Sequence, residues 1–513
     1  MRFNLKHLQT DAAASVVVYL VALPLCLGIA LGSTAPLFSG IIAGIIGGVV
    51  VGFFSGSSLS VSGPAAGLTS IVAASILKLN SYETFLLAVI IAGCIQIILG
   101  FLKAGVIGDY IPNSIIKGML AAIGIILILK QLPHLAGYDN DFAGDESFIQ
   151  PDHENTFTEI SKALGFFSNG AISIGIISIF ILIFFESKSV KKNKILGKIP
   201  GPLVVVVAAV LINQIFTKFL PAWVIEKDKL VSLPIAESFD EFRRFFITPE
   251  FSKFSNSDVW ITGLTIALVA SLETLLSIEA VDKLDPKKRI SPTDKELKAQ
   301  GIGNIISGVL GGLPMTSVIV RSSANVHAGG QTKMSAIMHG ILLALSVVFI
   351  PTIINLIPLS SLAAILIYTG YKLAKIPLFV EHYKKGIDQF IPFIVTIISI
   401  LLTDLLIGIS IGIATGVLFT LRSNFKSSIL MVNNESHYLI RLKKDVSFLN
   451  KPIIKSTLEK IPANTRILLD ASRADFIDQD IIDVIKEFKE NAGFKNITLE
   501  VEKNIHNPLH DQL

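Results

Sequence analysis

The chain of 513 residues is 51% apolar and only 16% charged, with a mean hydropathy of +0.65. Soluble proteins carry about a quarter of their residues as charges, so this composition excludes a soluble globular chain and indicates a polytopic α-helical membrane protein. The net charge of +4 is spread over loops instead of forming one patch, which argues against a nucleic-acid surface. The two cysteines, Cys26 and Cys94, lie in apolar runs and allow at most one bridge; they read as small buried apolar residues.

The polar, basic start MRFNLKHLQTD leads into an apolar run at 12–31 that reads as an uncleaved first helix and not as a signal peptide. Further apolar segments follow at 37–54, 63–78, 84–102, 115–130, 167–185 and 202–217. A long loop at 218–257 separates them from a second set at 258–280, 299–312, 321–328, 334–352, 360–371, 390–404 and 408–421. The fourteen transmembrane elements divide seven and seven, as repeat one (about 12–217) and repeat two (about 258–421) of a membrane domain at 1–425. The segments starting at Gly63 and Arg321 are too short to cross alone, since a crossing needs about 20 apolar residues.

Loop charge predicts the orientation. Basic clusters follow the sixth element (Lys188, Lys191, Lys192, Lys194, Lys198), the eighth (Lys283, Lys287, Lys288, Arg289, Lys295, Lys298) and the twelfth (Lys372, Lys375, Lys384, Lys385). The loop after the fifth is acidic, with Asp139, Asp141, Asp145, Glu146, Asp152, Glu154 and Glu159. The positive-inside rule then places both termini in the cytoplasm. From about Ser436 the pattern becomes that of a small cytoplasmic α/β domain (436–513). HYLIRL, RILLDAS and NITLEVE read as strands, and IIDVIKEFKENAG reads as an amphipathic helix closed by glycine.

Two short elements carry the same chemistry and each is third in its set: Ser60-Val-Ser62-Gly63-Pro64-Ala65-Ala66-Gly67 and Pro314-Met-Thr-Ser-Val-Ile-Val320-Arg321-Ser322-Ser323. Paired interrupted segments at matching positions of two halves point to a transport site. Unwound backbone is tolerated at membrane depth only where it lines a cavity or is buried in protein. Half-helices starting there aim unpaired N–H groups and positive dipole ends inward, which suits an anion, and Arg321 adds a full charge. The alternative is that these small residues only permit close helix packing. Glu273, about four turns into an apolar helix, is by default a functional candidate. It shares a helix face with Ser277 and could hold a proton or a sodium ion, or pair with Arg321. His327 and His339 read as structural. No metalloprotease, Cys-x-x-Cys or nucleotide-binding motif is present, so neither an enzyme nor a primary pump is expected, and no cofactor.

At LVALPLCLGIALGS, SVSGPAAGLTS, SLETLLSIEAVDKLDP and ELKAQGIGNIISGVLGGLPMTSVIVRSSANVHAGGQTKMS, the chain resembles the SulP family of inorganic anion permeases, which includes sulfate permeases and bicarbonate transporters. The tail resembles a short STAS domain, with Asp478-Gln479-Asp480 where anti-sigma antagonists carry a phosphorylatable serine. The resemblance implies a 7+7 inverted repeat split into core (elements 1–4 and 8–11) and gate domains, and a homodimer in the cell membrane. It further implies secondary active transport of bicarbonate or sulfate by alternating access, in symport with Na+ or H+. Mapped by motif, Ser62, Gly63, Pro64, Ala65 and Ala66 face Val320, Arg321, Ser322 and Ser323 across the anion. Pro24 to Gly28, including Leu25 and Cys26, would close one side, and Glu273 and Ser277 would hold the coupling ion. The competing readings are an uncoupled exchanger or channel using the same seat, and a nucleobase transporter of the same fold.

Overall fold

The computed structural model describes residues 7–138, 155–187 and 199–502, apart from positions 164, 167, 237, 428, 435 and 436, together with positions 190, 193 and 196. The five lysines after the sixth element, the acidic residues Asp139 to Glu154 and the last residues of the tail domain lie outside the described residues. The chain divides into a membrane unit, Met1–Ile413, and a second unit, Ala414–Leu513.

The membrane unit runs α1 (Leu8–Gly32), α2 (Leu37–Phe54), β1 (Ser62–Pro64), α3 (Ala66–Leu79), α4 (Tyr82–Phe101), α5 (Asn113–Ala136), α6 (Asn169–Glu186) and α7 (Gly201–Phe219). It continues with α8 (Ser257–Leu284), α9 (Thr293–Leu310), β2 (Met315–Ser317), α10 (Ile319–His327), α11 (Met334–Phe349), α12 (Leu359–Leu373), α13 (Ile387–Leu402) and the start of α14 (Leu405–Ser427). Each apolar segment of the sequence is thus a helix, and the third of each set is a strand followed by a half-length helix. Eight helices among the described residues are long and apolar enough to cross a membrane. At 1.5 Å per residue even the shortest of them nearly matches a hydrocarbon core of about 30 Å.

Two packed groups form this unit. In the first, α4 lies against α8 and α9, while α1 and α2 lie against α11. In the second, α12 lies against α5 and α6, α13 against α5, and α7 against α6. Glycine sets the closest approaches. A Cβ on Gly93 would come within 2.6 Å of the Gly301 carbonyl, and one on Gly301 equally close to that of Gly93, at the α4–α9 crossing. Close backbone approach of this kind is how membrane helices associate without a hydrophobic drive.

The strands β1 and β2 pair antiparallel, with Ser62 opposite Ser317, Gly63 opposite Thr316 and Pro64 opposite Met315. Antiparallel pairing of corresponding segments is what an inverted repeat requires. A three-residue ladder leaves many backbone groups unmet in a low-dielectric interior, and the fully buried polar face of α9 meets them. Asn304 Nδ2 donates to the Met315 carbonyl (3.1 Å) and its Oδ1 accepts from the Met315 N–H (2.7 Å). The same amide donates to Gln96 Oε1 at 2.6 Å. One helical turn back, Gln300 Nε2 donates to Ser62 Oγ (2.6 Å), and another turn back Glu296 Oε2 accepts from Ser55 Oγ and the Gly56 N–H. Ser307 Oγ donates to the Leu313 carbonyl (2.7 Å). The helix α2 widens into a π-helical turn at Gly47–Val51 just where β1 crosses it; a Cβ on Gly47 would collide with the Ser62 carbonyl.

The second unit is a four-stranded sheet in the order β3 (Ile429–Asn434), β4 (His437–Val446), β5 (Arg466–Ile477), β6 (Thr498–Glu502). The first pair is antiparallel and the others parallel. Helices α15 (Lys451–Glu459) and α16 (Gln479–Ala492) supply Ile454, Leu458, Ile481, Ile482 and Ile485 to its core. The sheet begins at Ile429, ahead of the boundary expected at 436. The strand Ile-Leu-Met-Val-Asn-Asn is a short apolar run without the alternation of a half-buried strand, so pattern alone does not reveal it. Asp478 is the N-cap of α16 and accepts from the Asp480 N–H (3.1 Å).

Asp470 on β5 accepts from Arg441 Nε (2.6 Å) and the Ser472 N–H (3.0 Å). Burial pushes its carboxyl up, but the Ser472 hydrogen bonds and the Arg441 guanidinium outweigh this and hold it below the usual carboxylate range. This contribution is present above the unfolded pKa of about 3.9 and is lost as pH falls through the lower folded value. Protection factors for β4 and β5 in the full chain should therefore drop at acid pH, and Asp470→Asn should remove that step. In the membrane unit, Asn304→Leu strands the Met315 backbone groups and should lower stability by roughly 3 kcal/mol, read as a fall in melting temperature in detergent. An unchanged melting temperature would contradict the bracing role of α9.

Candidate functional site

The ends of the two half-helices define the site. The strand β2 hands over to α10 through Val318, whose N–H donates to the Val61 carbonyl (2.9 Å). The first intrahelical bond of α10 then runs from Ser322 N to Val318 O (3.0 Å). The N–H groups of Ile319, Val320 and Arg321 precede it and have no intrahelical partner, as at any helix start. On the other side α3 opens with a tight turn at Ala66–Leu68, with Leu68 N donating to Ala65 O (3.2 Å). Pro64 and Ala66 therefore stand opposite Val318, Ile319 and Val320 around one cavity.

That cavity measures about 20 Å³ and is lined by Leu25, Ile29, Pro64, Ala66, Met119, Ile123, Glu273, Ser277, Val318, Ile319, Val320, Arg321 and Leu405. Of the residues singled out in the sequence, Leu25, Pro64, Ala66, Val320, Arg321, Glu273 and Ser277 meet there. The carboxylate of Glu273 lies flat over Gly67, whose added Cβ would be 3.3 Å from its Cδ and both oxygens. Glu273 and Ser277 are both buried, on one face of α8.

The other expected residues sit behind the cavity and hold its walls. Ser62 accepts from Gln300, and Gly63 lies against the Arg321 guanidinium. Ala65 is buried at the β1–α3 junction. Ser322 Oγ accepts from the Val61 N–H (2.9 Å) and donates to Val318 O (2.7 Å), while Ser323 Oγ donates to Val320 O (2.9 Å). These hydroxyls brace the backbone instead of facing the cavity. Within Pro24 to Gly28, Leu25 lines the cavity and the Cys26 thiol touches Arg321. Pro24, Leu27 and Gly28 face a separate cavity of about 280 Å³ with Gln131, Leu359, Leu362 and Leu366. A third space, about 170 Å³, opens at the other end of α1 and α12, beside Ala13, Val17, His327, Tyr368 and Lys372.

Arg321 is fully buried. Its Nη2 donates to Cys26 Sγ (3.3 Å), and Nε and Nη1 have no hydrogen-bond partner among the described residues. An ionised group without full pairing in the interior is costly, so the structure keeps a positive charge in place beside two helix starts. His339, also fully buried, has Nδ1 at 2.9 Å from the Ala336 carbonyl and packs on Gly48.

Sequence reasoning did not find Ile29, Met119, Ile123, Val318, Ile319 and Leu405. The apolar residues of α5 and α14 carry no chemical signal; only tertiary packing brings them to the half-helices.

The sequence pattern of the sulfate permease family matches residues 8–398. A putative sulfate transporter of Bacillus subtilis, YvdB, is 27% identical over 449 residues, covering 87% of this chain and 79% of that one. The bicarbonate transporter BicA of Picosynechococcus is 26% identical over 378 residues, covering 72% of this chain and 62% of that one. The structure of the murine Solute Carrier 26 family member A9 anion transporter in the inward-facing state superposes with a TM-score of 0.67 at 15% identity, over 99% of this chain and 87% of that one.

Two glycine substitutions separate wall from cavity. Gly47→Ala drives its Cβ into the Ser62 carbonyl, a backbone atom that cannot move aside, and should yield aggregated protein on size exclusion. Gly67→Ala meets only the end of the Glu273 side chain and should leave a monodisperse protein.

Proposed function

Because the chain belongs to the sulfate permease family, we propose that it is a secondary active transporter of a small inorganic oxyanion, bicarbonate or sulfate. The anion binds between the starts of α3 and α10, and a cation travels with it at Glu273 and Ser277. The observation that carries this reading is the fully buried Arg321, with two nitrogens lacking partners among the described residues, beside two facing helix starts. Backbone N–H groups and a guanidinium are donors only, so the seat favours an anion. The neighbouring carboxylate and hydroxyl supply oxygen ligands of the kind a hard cation such as Na+ takes, or a proton acceptor.

The cavity in this state admits about one water, so an oxyanion enters only when α1, α3 and α10 shift against α5 and α14. The two larger spaces at opposite ends of α1 and α12 are where such a shift would open the seat to either side, which is alternating access. The cation fits the same logic. A carboxylate charge beside the seat opposes an incoming anion, and a bound Na+ or proton cancels that repulsion. We further place the protein in the cell membrane as a homodimer with both termini cytoplasmic, on the basic loops after α8 and α12 and the resemblance of the tail to a STAS domain.

Reconstituted into liposomes, the wild-type chain should accumulate radiolabelled bicarbonate or sulfate under an inward Na+ or proton gradient. Glu273→Gln should lose accumulation against a gradient while keeping a folded protein. Uphill uptake by Glu273→Gln would contradict the coupling role, and wild-type flux indifferent to both cation gradients would favour the uncoupled exchanger.

A further inference from the structure

The guanidinium of Arg321 occupies a slot built from three elements. On one side an added Cβ at Gly63 would fall on its Nη1. On another, an added Cβ at Gly44 of α2 would lie 2.6 Å from Cys26 Sγ and 3.9 Å from Nη1. Cys26 of α1 forms the third wall, its thiol accepting from Nη2 at 3.3 Å. The thiol is fully buried, and Gly40, one turn before Gly44, lets α2 approach the Cys26 carbonyl directly. Arg321 is therefore held at its tip as well as by its backbone.

A guanidinium offers two two-pronged edges, one made by Nε and Nη2 and one by Nη1 and Nη2. Both use Nη2, and each needs one of its two hydrogens. The thiol takes one, leaving a single complete edge. Such an edge matches two oxygens of one anion; a spherical halide gains only the charge.

We propose that Cys26 is a positioning residue that sets anion specificity. By occupying one hydrogen of Arg321 Nη2 it leaves one oriented edge for an oxyanion, and so favours oxyanions over halides. The inference rests on the anion seat described above and extends it to a residue that does not line the cavity. The serine in Cys26→Ser can still accept a hydrogen bond, whereas the valine in Cys26→Val fills similar space without doing so.

The test is binding of bicarbonate, sulfate and chloride to the purified full-length chain, read by anion-dependent shifts in melting temperature and by calorimetry. It compares the wild type with Cys26→Val, Cys26→Ser, Arg321→Met and the double variant Cys26→Val with Arg321→Met. Cys26→Val should weaken bicarbonate or sulfate by about tenfold, the scale of a hydrogen bond to a charged group, and leave chloride unchanged. Cys26→Ser should recover most of the loss. In the Arg321→Met background Cys26→Val should add nothing. An equal loss for oxyanion and chloride, no loss at all, or the same loss with and without Arg321 would overturn the proposal. If Arg321→Met leaves every anion's binding unchanged, the seat itself is misplaced and the proposal falls with it. Should Cys26→Val fail to fold, Cys26→Ala carries the same expectations.

Discussion

Backbone that leaves the helix inside a membrane must find its hydrogen bonds within the protein, because lipid supplies none. Twice in this chain the third element of a repeat is unwound, and the structure answers with a short antiparallel ladder and one polar helix face. Glu296, Gln300, Asn304 and Ser307 recur at helical spacing on α9, all with less than 1% of their surface exposed. They bind, in order, the Ser55–Gly56 turn, Ser62, Met315 and Leu313. The side chain of Asn304 acts as a substitute peptide group, presenting a donor and an acceptor to Met315 as a third strand would. With the ladder fixed, the starts of α3 and α10 are fixed as well, facing one another across a cavity. The proposed anion seat follows from how the fold satisfies its broken helices.

Around this braced centre the membrane unit is tight in two places and loose in one. Glycine contacts such as Gly93 with Gly301 and Gly124 with Gly370 draw helices together within each packed group. Between the groups, along α1 and α12, the structure leaves a space at either end. Rigid groups with an incompletely filled seam can slide as bodies, whereas close-packed interiors resist continuous deformation. Arg321 lies on α10, which packs against α1 and α8 of the first group. Met119 and Ile123 lie on α5 of the second, and Leu405 on α14, whose Gly408 and Gly412 lie against Ile400 and Thr396 of α13. The cavity is thus built across the seam and changes with it.

The elements were legible because membrane helices announce themselves by length and hydropathy, and the two interrupted segments by composition and matching rank. The fold class followed from those signals, the tail domain from the change of pattern after α14, and the family from the resemblance of four longer sequence segments. What the residues at the site do was less legible. Ser62, Ser322 and Ser323 look like ligands beside Gly-Pro and Arg, but the Ser62 hydroxyl accepts from the Gln300 side chain and those of Ser322 and Ser323 bond backbone groups; a hydroxyl's partner depends on geometry that spacing does not contain. Gln300 and Asn304 stood inside the most specific motif and still gave no hint of their partners, which lie on segments folded back from elsewhere in the chain. Cys26 looked like apolar filling and is instead the partner of the buried arginine. The strand Ile429–Asn434 was hidden because it has only four apolar residues in a row, Ile429 to Val432, with no alternation to mark it as a strand.

The central claim is that the anion sits where the two half-helices begin. It is tested most directly by cryo-electron microscopy of the full chain in nanodiscs, in saturating sulfate or bicarbonate and in an anion-depleted buffer. Density between Pro64–Ala66 and Val320–Arg321 that appears only with the anion is the result expected. Anion-dependent density elsewhere, with that space unchanged, would contradict the account.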